Sequence, residues 1–378
     1  MKKRIWIVAG EASGDARSAE LMRAIHMLDA GVEFVGAGGP KMQPLAAQPF
    51  DNWIAEAGVL GLWDVLKHYG YFRAKFHRML SDIARLNPDA VLLVDYPGFN
   101  LRLAKALRAR LPKLRILYYV SPQVWAWNRG RIPKMAKYLD LMLCIFPFEK
   151  PLYEESGLRT EFVGHPIVEQ MANDRMRVER DANLLGLFPG SREREVRRIF
   201  PAMIEAAKRV AAARPDVRFE ASAASEPHAV QMRELAGGFP IEIRAGSAHE
   251  LMQRAGTGIV CSGTATLEAA CFGLPYALVY KTAWLTFEVG RRLVKINHLG
   301  IVNILAGRTV VREFIQDAAT PTALAGEALR LLNDPAAREK LSAELAAVVA
   351  TLHGEGASTR AARAVLDALS PDGRFAAS

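Results

Sequence analysis

Cysteine is scarce in this chain: three in 378 residues, Cys144, Cys261 and Cys271. They are odd in number and form no CxxC pair, which excludes a disulfide-stapled scaffold and a zinc-ribbon spacing. Cys144 and Cys261 lie in apolar runs, so buried thiols in a reducing compartment are expected. Glycine (29) and proline (20) are too few and too scattered for a collagen-like chain. No apolar run approaches the roughly 20 residues that span a bilayer. The longest, Leu141 to Phe148, has strand length. The basic start, Met1 to Arg4, leads into only five apolar residues before Glu11 and Asp15, so a signal peptide is not expected and a cytoplasmic protein is. Asp-x-Asp and H-E-x-x-H are missing and the eight histidines do not cluster, which disfavours metal-dependent chemistry.

What is present is an ordinary globular composition, 51% hydrophobic and 24% charged. Lys and Arg (49) exceed Asp and Glu (40), a formal charge of +9. Such a surplus suits nucleic acid, anionic lipid or a phosphorylated substrate. The basic run Arg102, Lys105, Arg108, Arg110 and Lys113 carries no interleaved aromatic, so nucleic acid is not expected.

Continuous apolar runs alternate with helical stretches. Strands are expected at 5–9, 32–35, 90–94, 116–120, 141–146 and 162–163, with helices at 15–28 and 101–110. Runs apolar at every position suit parallel strands covered on both faces. A polar stretch around 170–183 interrupts the pattern and reads as a linker. Strands at 184–188, 217–221, 241–244, 258–261 and 276–280 follow, with a long helix at 193–213. The fold class is therefore α/β: two Rossmann-like doubly wound domains, 1–172 and 183–320, and a helical tail, 321–378. Ligands are expected at the strand C-terminal ends.

Five strand ends carry candidate chemistry. The first runs into Gly10-Glu11-Ala12-Ser13-Gly14-Asp15, where the glycines permit a tight turn, Asp15 can cap a helix and Glu11 can face a ligand. This is neither G-x-G-x-x-G nor a P-loop, and the turn would serve equally as a plain strand-to-helix connection. The third places Asp95 after five apolar residues, where it can take a proton from a hydroxyl or cap the next helix. After the fourth, Trp125 and Trp127 stand among polar residues and suit a sugar face or a packed loop. In the second half, Pro189-Gly190-Ser191-Arg192 precedes a helix start, a phosphate-binding arrangement with a fixed cation. Ser262, Gly263 and Thr264 open another helix, and Glu268 beyond them can accept from two ribose hydroxyls or serve a capping arrangement. His165 reads as structural.

In order along the chain, GEASGD, DYPGFN, YVSPQVWAW, PFEK, FVGHP, PGSR, SGTATLE and NILAGR occur together. The set resembles the lipid-A-disaccharide synthase family, inverting glycosyltransferases of GT-B architecture, over about residues 5–315. The resemblance implies transfer from UDP-2,3-diacylglucosamine to 2,3-diacylglucosamine 1-phosphate (lipid X). It implies no cofactor or metal, peripheral attachment to the anionic inner-membrane surface, and admits a homodimer. By position it makes Asp95 the catalytic base and Glu11 the second acidic candidate. It assigns substrate binding to Ser13, Ser191, Arg192, Ser262, Gly263, Thr264, Glu268 and Asn303. Gly98 stands where the family has an aspartate. With acylated substrates implied, the aromatic and basic segment Gly61 to Leu80 is expected to touch the membrane through Leu62, Trp63, Leu66, Tyr69 and Phe72, the alternative being an amphipathic helix packed on the sheet. Another GT-B enzyme using a UDP-sugar, an N-acetylglucosaminyl transferase or an epimerase, is the alternative activity.

Overall fold

A computed structural model describes residues 2–54, 69–283, 297–354 and 356–370. It divides into two compact units, Met1–Pro166 with Gly354–Ser378, and Ile167–His353.

Unit 1 is built on seven strands: β1 Arg4–Ala9, β2 Glu33–Gly38, β3 Phe50–Asn52, β4 Ala90–Val94, β5 Arg115–Tyr119, β6 Leu141–Cys144 and β7 Thr160–Phe162. All are parallel, in the order β3-β2-β1-β4-β5-β6-β7. β4 and β6 are buried along their whole length, which is why their sequences are apolar at every position. Two helices pack against the sheet, one on β1 and β2 and the other on β6. Ala12–Leu28 buries Leu21, Met22 and Ile25. Ala357–Ala368 packs on that helix and buries Ala361, Ala362 and Val365. Arg360 Nε donates to Val163 O at 2.9 Å and ties this last helix to the sheet end.

Unit 2 has six parallel strands: β8 Asp181–Phe188, β9 Arg218–Ala223, β10 Glu242–Ala245, β11 Ala255–Cys261, β12 Tyr276–Tyr280 and β13 Glu313–Ile315. Their order is β10-β9-β8-β11-β12-β13. The helix Glu193–Ala213 lays Val196, Ile199, Phe200, Met203, Ala207 and Val210 into the core, the three-and-four spacing of one helical stripe. Helix Pro321–Asn333 packs across it, and helix Pro335–Ala350 packs on Thr264–Cys271. Both start with proline after an oxygen cap: Thr320 accepts from Ala323 N and Asp334 from Ala337 N.

The structure departs from the sequence reading in four places. The C-terminal stretch is divided: 321–353 belongs to unit 2 and the last helix returns to unit 1. The expected linker begins with the helix Pro166–Asn173, and residues 174–180 behind it are anchored on unit 2. Arg180 donates to the carbonyls of Met252, Ala255 and Phe272, and burial pulls its guanidinium down to about 10. The first helix starts three residues early, at Ala12, so Asp15 lies inside it. Asp15 is buried and accepts three backbone N–H bonds, from Gly39, Lys41 and Met42 at 3.0 Å each; it secures the loop after β2 and does not cap its own helix. Finally, β3 and β13 are edge strands of three residues each, too short to show a periodicity.

Candidate active site

In both sheets the chain reverses its direction of travel beside the first strand of the unit. In unit 1 this happens between β1 and β4, paired through Ala9 and Val94. In unit 2 it happens between β8 and β11, paired through Phe188 and Val260. Such switch points leave a crevice at the strand C-terminal ends because the flanking connections leave on opposite faces. Glu11 and Asp95 follow the two strands of the first switch point. Ser191, Arg192, Ser262, Gly263 and Thr264 follow those of the second.

Asp95 and Tyr96 both adopt left-handed backbone, at φ 49° and 47°. Two successive non-glycine residues there cost of order 1–3 kcal/mol each, strain that a surrounding structure must hold. The holding bonds are visible. Asp95 N donates to Tyr119 O at 2.9 Å, Tyr118 OH donates to Asp95 O at 2.5 Å, and Asn100 Nδ2 donates to the same carbonyl at 2.8 Å. A Cβ at Gly10 would fall inside the Tyr96 ring, so glycine is required there. The Tyr96 phenol is raised by burial and then by the Glu11 charge, which sets Glu11 near it. Burial raises the Asp95 carboxyl above the ordinary aspartate range; Arg17, at 3.9 Å, opposes this less strongly, as does the Tyr96 N–H bond. Burial, with the Arg17 charge behind it, lowers His165 to about 3 and keeps it neutral. Ser13 is exposed in the first turn after Glu11.

The predicted donor-side residues of unit 2 come together. Ser191, Arg192, Ser262, Gly263, Thr264 and Glu268 line one cavity of about 470 Å³. Gly190 turns the chain at φ +106°, and a side chain there would meet the Glu195 carboxylate. Arg192 caps the helix Glu193–Ala213 and pairs with Glu195, Nη1 to Oε1 at 3.1 Å, yet its side chain stays 83% exposed and open to a ligand. The helix starts at Glu193 and Thr264 supply unpaired backbone N–H groups and positive dipole ends, the usual anion site.

Sequence reasoning missed His249, which lines the same cavity. Its Nδ1 lies 2.9 Å from Asp174 Oδ2 and its Nε2 3.8 Å from Glu268 Oε2. These carboxylates, Glu268 first, raise it and favour the imidazolium. No local signal could have found this group, because its three members lie at positions 174, 249 and 268. Glu195 had a signal, being three residues past the cap.

One expected site residue, Asn303, and one side chain left open between a sugar face and packing, Trp125, are turned inward. Asn303 is 1% exposed with its whole amide engaged: Nδ2 donates to Val311 O and Glu313 Oε1, and Oδ1 accepts from Val310 N and Val311 N. That is the bonding of a clamp, not of a group facing a ligand. Trp125 is buried, donates to Glu149 Oε1 at 2.9 Å and packs on Phe148. Its tryptophan loop is therefore packing at Trp125. Burial pushes the Glu149 carboxyl up to about 7. The three thiols are buried, and burial pushes Cys261 and Cys271 up to about 12.

Of the expected membrane residues, Leu62, Trp63 and Leu66 lie outside the described residues, as does the side chain of Tyr69. Phe72 is half-buried and packs against Trp53 and Tyr71. No helix among the described residues is long and apolar enough to cross a membrane.

The profile of the lipid-A-disaccharide synthetase family matches residues 5–368. The lipid-A-disaccharide synthase of Trichlorobacter lovleyi is 40% identical over 374 residues, covering 96% of this chain and 97% of that one. Among solved structures, the UDP-GlcNAc 2-epimerase from Neisseria meningitidis bound to UDP-GlcNAc superposes with a TM-score of 0.61 at 11% identity, covering 97% of this chain and 100% of that one. The calicheamicin glycosyltransferase CalG4 does so at 0.58 and 15%, covering 99% of each. At these identities the structural likeness speaks for the fold alone.

Proposed function

Because the chain belongs to the lipid-A-disaccharide synthase family, glycosyltransferases of GT-B architecture, we propose that it joins UDP-2,3-diacylglucosamine to lipid X. The products are the β-1,6-linked lipid A disaccharide 1-phosphate and UDP. The observation that carries the site assignment is the convergence of Arg192, Ser191, Ser262, Gly263, Thr264 and Glu268 on one cavity at the switch point of unit 2. There the diphosphate meets two helix N-termini and a guanidinium, and Glu268, steadied by His249, accepts from the ribose hydroxyls. Fixed dipoles and a cation stabilise the charge that collects on the leaving UDP. In unit 1, Asp95 takes the proton of the acceptor 6-hydroxyl as it attacks the anomeric carbon. Its raised pKa makes it a stronger base than an ordinary aspartate. Glu11, on the neighbouring strand end, orients the acceptor.

The direct test supplies both lipids and follows UDP. UDP should appear only when lipid X is present. Release without the acceptor, or interconversion of UDP-GlcNAc, would point to the other UDP-sugar reading. Arg192→Ala should weaken UDP by roughly 10- to 100-fold, the worth of one charge-assisted hydrogen bond at about 1.5–3 kcal/mol. Calorimetry with UDP measures it, and an unchanged affinity would move the phosphate site elsewhere.

Acylated substrates and a charge of +9 also favour peripheral attachment to an anionic inner-membrane surface. Trp63→Glu combined with Leu66→Glu should lower co-sedimentation with anionic vesicles while UDP affinity stays as in the parent. High salt should weaken binding only in part, since apolar insertion is not screened. Parent-like co-sedimentation of the double variant would remove this segment from the contact.

A further inference from the structure

Unit 1 contains a second cavity, of about 480 Å³, between helix Tyr69–Leu86 and helix Pro97–Arg110. Its size is that of pockets enclosing small organic ligands. Its walls are aromatic: Phe72 and Phe76, four apart on the first helix, and Tyr96 and Phe99 at the start of the second. Phe76 and Phe99 meet edge to face at 5.7 Å, and buried Trp53 backs Phe72, Tyr96 and Phe99. The cations sit on the same helices: Arg73 beside Phe72, and Arg102 three residues past Phe99. Both arginines are exposed. Asp51 pairs with Lys75 and Asp82 with Arg78 and Arg85, and among the described residues no carboxylate pairs with Arg73 or Arg102.

An apolar wall lined with unpaired guanidinium groups matches an amphiphile with an alkyl chain and an anionic head. We infer that this cavity takes one acyl chain of the phosphorylated lipid acceptor, with the phosphate held by Arg73 and Arg102. The inference rests on the acceptor assignment above. It adds a place for the chain one residue from the base, because Tyr96 both walls the cavity and follows Asp95 in the strained turn. Gly98 lines the same space, and no atom stands within 4 Å of where its Cβ would be. A larger side chain there occupies the cavity without displacing its walls.

The test uses the full chain and dodecyl phosphate, below its micelle concentration, in calorimetry. Dodecyl phosphate should bind at least tenfold more tightly than inorganic phosphate or dodecyl maltoside. Gly98→Leu should weaken it at least tenfold. Arg73→Gln with Arg102→Gln, both surface changes, should do the same and leave dodecyl maltoside unaltered. UDP affinity and thermal unfolding should match the parent in every variant. In turnover, Gly98→Leu should raise KM for lipid X and not kcat. Parent-like dodecyl phosphate binding by Gly98→Leu overturns the proposal. So does a loss confined to vesicle co-sedimentation, which would make the cavity a bilayer contact. Intact dodecyl phosphate binding with no lipid X-dependent UDP release would sink the glycosyl-transfer reading and, with it, the acceptor as occupant, while the cavity would stand as a site for an anionic amphiphile.

Discussion

Asp95→Asn should fold, bind UDP as the parent does, and lose about a hundredfold or more in turnover, the usual worth of a positioned base. Asparagine tolerates left-handed backbone and keeps an oxygen for the Tyr96 N–H, so the turn at φ 49° and 47° survives. What is lost is the capacity to take a proton. The same variant should be more stable than the parent near neutral pH. Burial raises the native carboxyl above its unfolded value, so holding it ionised costs free energy in the folded state alone. The parent escapes this cost below the unfolded value, where both states are protonated. It incurs the cost progressively as pH rises through the raised native value. The gain from Asp95→Asn should therefore appear in melts at pH 7 and vanish only below about pH 3, under the unfolded value. The parent's kcat/KM should likewise fall, on acidification, at a higher pH than an ordinary aspartate would give. Near-normal turnover in steady-state assays would end the assignment of Asp95 as base.

Asn303→Ala should act on stability first. The variant strands Val310 N, Val311 N and the Val311 carbonyl inside unit 2. At about 1–3 kcal/mol for each unsatisfied buried group, a loss of about 3 kcal/mol or more is expected. For a unit of this size that is a fall of roughly 6–12 °C in the melting temperature. Glu313 also accepts from Leu299 N and Gly300 N, at the start of the helix Ile301–Ala306, so the disturbance should spread to the edge strand β13. UDP affinity, measured well below the melting transition, should change little. The opposite result, a normal melt with a large loss of UDP affinity, would return Asn303 to direct substrate contact.

The contrast between these residues marks where sequence reasoning reaches. β4 and β12 run as read, and the other main strands lie within a few residues of their expected places. Strands buried on both faces must be apolar throughout, and that pattern is local. The helix Glu193–Ala213 was legible to the residue because its stripe and its capping residues lie in one stretch of chain. Strand-end positions such as Asp95 and Arg192 followed, since an apolar run ending in a polar group announces a sheet edge. The roles of GEASGD and NILAGR were not legible. Asp15 serves a loop more than twenty residues away, and Asn303 spends its amide on the backbone of Val310 and Val311 and on Glu313. Spacing cannot tell a carboxamide that binds a ligand from one that binds its own chain. His249 between Asp174 and Glu268, and the return of the last helix to unit 1, depend on contacts far apart in the chain. The sequence by itself determined the parallel α/β class and the strand ends that carry the polar residues, because these follow from burial along short runs. Only the tertiary structure decided which of those residues face a cavity and which are consumed by the fold, because a hydrogen bond is settled by where its partner lies in space.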